Sequence, residues 1–369
     1  MGSSQSGLEP ALGKSPMSTP TVYSQRLGAI SNAQFQAVAT RFGLGAFLEA
    51  TPTTSGLFGQ NVFMRTTSGE FVLRGAPHWV KDIGDATYRQ EDRWQFTKER
   101  FFAEQLHDRA EVPAPWPMMH DQTSDLMGWP YLVMPRMPGH CFDERSILKA
   151  LSSADREGVA VALGRMLAQM QSFHWPFAGD FSTASINLAP YSSGYTQRVI
   201  DETRMYTTMA EVNGPITAID CVYLETVYSQ ALAAEGTRPN TFVHGDYKLN
   251  NLTVLQHQTG WRVAGIFDLH EARFGDGALD IVRQTCSYLD TEPPMADRFV
   301  CSYLQGVRRD DSLKQLMPLY VVNDRMKFWE YFSRPEVSAK WTQGKTFSAW
   351  CSRYVCEVLE VLNRVELHG

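Results

Sequence analysis

The sequence predicts an α+β chain in which a small sheet-bearing part precedes a larger, mainly helical one. Three observations predict it. Two strand-like runs in "NVFMRTTSGEFVLRG" (61–75) are joined through Ser68-Gly69, a hairpin signature early in the chain. The apolar strand "YLVM" (131–134) then enters the Pro- and Gly-broken stretch "PRMPGH", where the sequence changes character. Beyond that point helical spacing dominates, interrupted by a strand–loop–strand–turn–strand segment between Thr241 and Phe267.

Taken in order, "MGSSQSGLEPALGKSPMSTP" (1–20) lacks the apolar core of a signal peptide and reads as a disordered leader, with Met17 a candidate natural start. "SNAQFQAVATRFGL" reads as an amphipathic helix: Ser31 and Gln34 form a capping-box pattern, and Phe35, Val38, Ala39 and Phe42 share one face. The hairpin follows, and then a helix around "RWQFTKERFFAEQL", which the Pro-rich "EVPAPWPMM" ends. A first domain is therefore expected at 21–137 and a second at 138–369. In the second, Val159, Leu163, Met166, Leu167 and Met170 recur at helical spacing, a core stripe rather than a ligand surface. From Ala278 onward the pattern is again mostly helical.

Composition narrows the function classes. A length of 369 residues exceeds what one ordinary core organises, and the 43% hydrophobic and 20% charged content is that of a soluble globular protein. A net charge of -6 argues against nucleic acid as partner, because phosphate binding wants a basic face. No apolar run is long enough to span a bilayer. The six cysteines form no CxxC pair, so neither a zinc site nor a disulfide framework is signalled, and a cytoplasmic protein is expected. "GLEPALGKS" (7–15) imitates a P-loop but has five residues between its glycines and contains Pro10. "HEARF" lacks the second His of a zinc helix, and no GxSxG is present.

The chemistry-bearing stretch is "FVHGDYKLNNLTVL" (242–255), which crowds Asp246, Lys248, Asn250 and Asn251 into one loop between apolar runs. A turn needs only Gly and one Asn or Asp. A second polar group follows in "GIFDLHEARFGDGALD", where Asp268 directly ends an apolar strand. Singly, each is an ordinary turn or capping residue. Together they are what phosphoryl transfer requires: a carboxylate to orient and deprotonate a hydroxyl, and a carboxylate with an amide to hold Mg²⁺ against phosphates.

"HGDYKLNN" followed by "IFDLHEARFGDGALD" resembles the aminoglycoside phosphotransferase family, within the choline-kinase-like branch of the protein-kinase-like fold. The resemblance implies a two-lobed architecture, with a small antiparallel-sheet N-terminal lobe and a larger helical C-terminal lobe that binds the acceptor. It implies Asp246 as catalytic base, Asn251 and Asp268 as metal ligands, and Asp276 and Asp280 as loop braces, with His244 supporting the loop and Lys248 helping to neutralise the transferred phosphoryl group. Over the N-terminal half, "TTSGLFGQNVF" would be the loop over the nucleotide phosphates, with Ser55, Gly56 and Gly59. Arg74 stands where kinases usually place a phosphate-binding Lys, and Glu99 would be its helix partner. "YLVMPRMPG" resembles the hinge to the purine, which makes Met134, Arg136 and Met137 nucleotide contacts. His270, beside the metal loop, reads as structural.

The implied co-reactants are ATP or GTP with Mg²⁺ and a small hydroxylated acceptor, with neither nucleic acid nor membrane as partner. In such a fold the acceptor lies between the catalytic loop and the C-terminal helices. Acids there include Asp143, Glu144, Glu271, Asp324 and Glu330, the last two near Trp329 and Tyr331. They would suit the ammonium groups of an aminoglycoside-like acceptor, as in antibiotic resistance. Alternatives remain: a macrolide, amino alcohol, sugar or peptide antibiotic as acceptor, or a non-catalytic binding module, which Arg74 in place of Lys keeps open.

Overall fold

The computed structural model describes residues 21–24, 27–53, 61–75, 94–142, 150–213, 216–234, 238–308, 312–334, 337 and 344–368. The leader 1–20, the loop residues Ser55, Gly56 and Gly59, and the acids Asp143 and Glu144 lie outside the described residues. The chain forms two compact units, Met1–Tyr88 with Asp121–Val133, and Arg89–His120 with Met134–Gly369.

In the first unit a short ribbon, β1 (Thr21–Ser24) and β2 (Gly28–Ile30), precedes helix α1 (Asn32–Arg41). The capping box read from sequence is formed: Ser31 Oγ accepts the Gln34 amide at 3.2 Å and Gln34 Oε1 accepts the Ser31 amide at 2.9 Å. Phe35, Val38 and Ala39 are buried, and Phe35 stacks on Phe47 at 5.1 Å. The main sheet runs β3 (Phe47–Pro52), β4 (Asn61–Thr66), β5 (Gly69–Arg74), β7 (Tyr131–Pro135), β6 (Met119–Asp121). The β4–β5 hairpin turns at Thr67-Ser68 rather than Ser68-Gly69, because the register pairs Thr66 with Gly69 and leaves only two residues in the loop. Asp121 and Asp125 both pair with Arg41.

The second unit holds helix α2 (Gln95–Ala110) and the long helix α3 (Ser153–Gln171). Val159, Leu163, Leu167 and Met170 of the predicted stripe are buried, and Met166 is half-buried. Helix α3 packs on α7 (Pro293–Gly306) through Gly164, where a Cβ would stand 2.3 Å from the Phe299 carbonyl oxygen, so the crossing requires glycine. A hairpin absent from the sequence expectation, β8 (Gly179–Ser182) and β9 (Asn187–Pro190), precedes α4 (Tyr195–Asn213) and α5 (Ala218–Ala233). Its Gly, Asp, Asn and Pro have low β-propensity; they are strand because β8 pairs with β9 along its whole length and Gly179 of β8 joins β13 (Arg273–Gly275) at Phe274. Helices α6 (Ile281–Thr291), α7, α8 (Ser312–Ser333) and α9 (Phe347–His368) complete the unit. No described helix is long and apolar enough to cross a membrane.

Two ladders place the polar loops. Strand β10 (Thr241–Val243) pairs with β13, so that Val243 faces Arg273. Strands β11 (Leu252–His257) and β12 (Gly260–Ile266) form their own hairpin, with Leu252 facing Ile266. The segments 244–251 and 267–272 therefore both run between the same two ladders, anchored at either end, and lie side by side. Strand ends of this kind are where a rigid scaffold presents chemistry.

Candidate active site

The loop after β10 is held by a carboxylate from further along the chain. Asp280, fully buried at the head of α6, accepts the His244 amide at 2.6 Å and the Gly245 amide at 2.8 Å. Burial pushes the Asp280 carboxyl up, against the pull of the two amide hydrogen bonds. Gly245 sits at φ +84, and a Cβ there would meet Glu271 Cβ at 2.7 Å and its carbonyl oxygen at 2.9 Å, so the two loops touch where only glycine fits. His244 Nε2 lies 3.1 Å from the Phe267 carbonyl while its Nδ1 accepts the Asp246 amide at 3.3 Å. A carbonyl can only accept and an amide only donate, which makes His244 the Nε2–H tautomer and a bridge between the loops. Beneath, Tyr247 is buried and donates to the Leu163 carbonyl at 2.8 Å, and the Leu249 amide donates to Gln284 at 2.7 Å. Asp276 caps the turn at Ala278 and receives the Tyr320 hydroxyl at 2.7 Å and the Arg238 guanidinium.

On this frame the Asp246 carboxylate is oriented from one side. Its Oδ2 receives Lys248 Nζ at 2.7 Å and Asn251 Nδ2 at 2.9 Å, while its buried Oδ1 receives no hydrogen bond. Asn251 is buried and also donates Nδ2 to the Asp246 carbonyl at 2.9 Å, which leaves its Oδ1 as the atom able to meet a cation. Asp268 adopts the left-handed conformation, φ +68, at the end of β12. Strain of that kind at a strand end marks a constrained carboxylate. Among the described residues no three His, Cys, Asp or Glu side chains gather to hold a metal. One carboxylate and one amide oxygen instead fit the Mg²⁺ that the resemblance implies, an ion that takes few protein oxygens and completes its shell with phosphates and water.

Around this pair every acid has a cation. His270 Nδ1 lies 3.0 Å from Asp268; burial would lower its pKa, but Asp268, Glu271 and Glu99 outweigh that and raise it to about 9. Glu271 receives Lys327 Nζ at 2.9 Å, and Lys327 also lies 3.5 Å from Glu202, which pairs with Arg273 at 3.3 Å. Burial alone would raise the Glu271 carboxyl, yet Lys327 and His270 hold it well below the usual range. Asp324 is buried between Arg283 and Arg325, whose charges likewise outweigh burial and lower its pKa.

The structure thus brings Asp246, Lys248, Asn251, Asp268 and Glu271 into two adjacent loops, with Asp324 one ion pair behind. Glu330 is buried on α8 against Arg334, outside that cluster. Arg74 ends β5 in the first unit and is nearly buried; Glu99 is buried on α2 of the second and receives Gln95 Nε2 at 2.7 Å. Met134 is buried at the end of β7, Arg136 is exposed, and Met137 backs against Gly265. Sequence reasoning missed Arg283, Lys327, Glu202 and Arg273. Only Arg283 carried a local signal, standing three residues after Asp280 on the same helical face.

The model of the phosphotransferase enzyme family (APH) matches residues 49–311. No curated protein matches the sequence. Similar solved structures include a protein of Ralstonia eutropha JMP134 assigned as an aminoglycoside phosphotransferase. It is 14% identical over 91% of this chain and 98% of its own, with a TM-score of 0.57. A thermostable mutant of aminoglycoside phosphotransferase APH(4)-Ia, in ternary complex with ADP and hygromycin B, is 13% identical over 88% of this chain and 97% of its own, with a TM-score of 0.56. The GDP and kanamycin complex of APH(2")-IIIa is 14% identical over 90% and 97%, with a TM-score of 0.53. At such identities the likeness shows the fold, the α+β protein-kinase-like architecture of a small antiparallel-sheet lobe and a larger helical lobe.

Proposed function

The chain belongs to the phosphotransferase enzyme family, and from that premise we propose that it moves the terminal phosphoryl group of ATP or GTP to a hydroxyl of a small aminoglycoside-like acceptor, as resistance enzymes do. The observation that carries the phosphoryl-transfer reading is the Asp246 carboxylate, held through Oδ2 by Lys248 and Asn251 and approached on Oδ1 by Arg283 at 3.1 Å, in the loop that runs alongside the one bearing Asp268. The acceptor oxygen forms its bond to the γ-phosphorus, the bond to the β–γ bridging oxygen breaks, and its electron pair leaves with the nucleoside diphosphate. The hydroxyl proton passes to Asp246. Asp246 orients that hydroxyl before it accepts the proton, and positioning is the larger share of such catalysis. Asn251 Oδ1 and Asp268 would hold Mg²⁺, which neutralises charge on the phosphates when bound. Lys248 adds positive charge at the transferred group. Ser55, Gly56, Arg74, Glu99 and residues 134–137 are proposed for the nucleotide.

A cationic acceptor is supported by the relatives solved with hygromycin B and kanamycin. A neutral one, such as a macrolide or sugar, is favoured by the ion-paired state of Glu271, Asp324 and Glu330, since an ammonium arriving there must displace a Lys or Arg already in place. The test is phosphorylation of an acceptor panel at two ionic strengths, alongside Asp246→Ala. Preference for aminocyclitols, weakened by salt, is expected. A neutral acceptor turned over best, without salt dependence, overturns the acceptor class and leaves the kinase reading. Asp246→Ala should lose turnover by several powers of ten with nucleotide binding intact; turnover within about tenfold of the parent would refute the base assignment.

A further inference from the structure

The two oxygens of Asp246 are treated unequally, and the inequality has a source outside the loop. Oδ2 has two donors; Oδ1 is buried with none. Native proteins seldom leave a buried carboxylate oxygen in that state, and where they do a functional reason is usual. Arg283 Nη1 lies only 3.1 Å from Oδ1, yet the approach lacks the alignment of a hydrogen bond. Left alone, a guanidinium at this distance would turn to form a two-pronged pair with the carboxylate.

Two contacts hold it back. Arg283 Nε donates to Asp324 Oδ1, and the guanidinium carbon lies 4.4 Å from the centre of the Phe328 ring. Asp324 is itself held on its other oxygen by Arg325 Nε at 2.9 Å, and Arg325 lies over the same ring at 4.4 Å. Arg283 also stands in the first turn of α6, three residues after Asp280, whose carboxylate clasps the His244 and Gly245 amides. One helix end therefore carries both the brace of the catalytic loop and the guanidinium beside its base.

We propose that Arg283, anchored by Asp324 and Phe328, is a positioning residue for Asp246: it orients the carboxylate and steadies its charge from the Oδ1 side without closing the two-pronged pair that would lock both oxygens. This rests on the phosphotransferase reading above and deepens it. Asp324 acts through Arg283, as the group that stops the guanidinium from rotating onto the base. A residue needed only for folding would show in stability and in nucleotide affinity; a positioning residue shows in kcat.

The experiment compares the parent full-length chain with Arg283→Gln, Arg283→Lys, Asp324→Asn and the Arg283→Gln/Asp324→Asn pair, by steady-state kinetics, nucleotide titration calorimetry and thermal melting. Arg283→Gln should lower kcat on the order of 100-fold while the nucleotide Kd changes by less than about threefold. Arg283→Lys keeps the charge but cannot bond Asp324 through Nε, and should recover only part of kcat with a parent-like melt. Asp324→Asn should lower kcat as well, and the double variant should be no worse than Arg283→Gln, because both losses run through one guanidinium. Parent-level kcat in Arg283→Lys, or additive losses in the pair, overturns the proposal; if Arg283→Gln does not fold, Arg283→Lys decides alone. A parent that phosphorylates no acceptor sinks the phosphotransferase reading and this proposal with it, an outcome distinct from an active parent whose Arg283 variants are equally active.

Discussion

Asp280 holds the Gly245 amide at 2.8 Å on one carboxylate oxygen and the adjacent His244 amide at 2.6 Å on the other, so one buried side chain sets the entry of the catalytic loop. Asp280→Asn replaces one acceptor with a donor and leaves an amide facing it. The variant should lose about 1–3 kcal/mol of stability, the penalty of an unsatisfied buried group. Turnover should fall about 10- to 100-fold through misplacement of Asp246, two residues on. Chemical denaturation and kcat measured together check this; a parent-like kcat would show that the loop keeps its shape without the brace.

The metal reading makes its own demand. With Asn251 Nδ2 committed to Asp246, the protein donors left are Asn251 Oδ1 and Asp268. Activity should vanish with chelator and return with Mg²⁺, and Asp268→Asn should raise the Mg²⁺ concentration needed for half-maximal turnover about tenfold or more. Unchanged Mg²⁺–nucleotide affinity in the variant, by calorimetry, would refute the assignment.

Lys327 stands half-buried between Glu271 at 2.9 Å and Glu202 at 3.5 Å. Lys327→Met would leave two carboxylates with one cation fewer, and should cost about 3–5 kcal/mol, as breaking buried pairs does. Adding Glu271→Gln should return part of that loss, because it removes one of the stranded charges. A double variant as unstable as the single one would show that the two residues are not coupled.

In the first unit, Asp121 supplies an acid limb. Burial alone would raise its pKa, but hydrogen bonds from Thr123 and Arg41 outweigh it and lower the value from 3.8 to about 2. A depressed carboxylate contributes stability above its unfolded pKa and loses it as pH falls through the folded one. The contribution is therefore complete above pH 3.8 and fades as pH approaches about 2. Asp121→Asn should be less stable than the parent at neutral pH, and its denaturation midpoint should fall less steeply across that acid window. Equal slopes for both proteins would refute the pairing as the source.

Much of the site was legible in the sequence because its determinants are local. "HGDYKLNN" sets Asp246 and Asn251 five residues apart in one loop, and the apolar run before Asp268 announces the strand that ends there. Ser31 and Gln34 announced the start of α1 for the same reason, since a capping box closes within one turn. What lay beyond reading was which distant groups those loops would meet. Strand β10 pairs with β13 and not with its chain neighbour β11, and that choice alone sets the two polar loops side by side. Asp324 and Glu271 looked like free acids in the sequence; packing of α6 and α8 placed Arg283, Arg325 and Lys327 on them. A carboxylate's partner is chosen by whichever cation the fold desolvates beside it, and a charge buried without one costs several kcal/mol, on the order of a small domain's whole stability. The residues that do chemistry here were therefore written in short-range spacing, whereas the charges that orient them were decided only when separate helices closed over the loops.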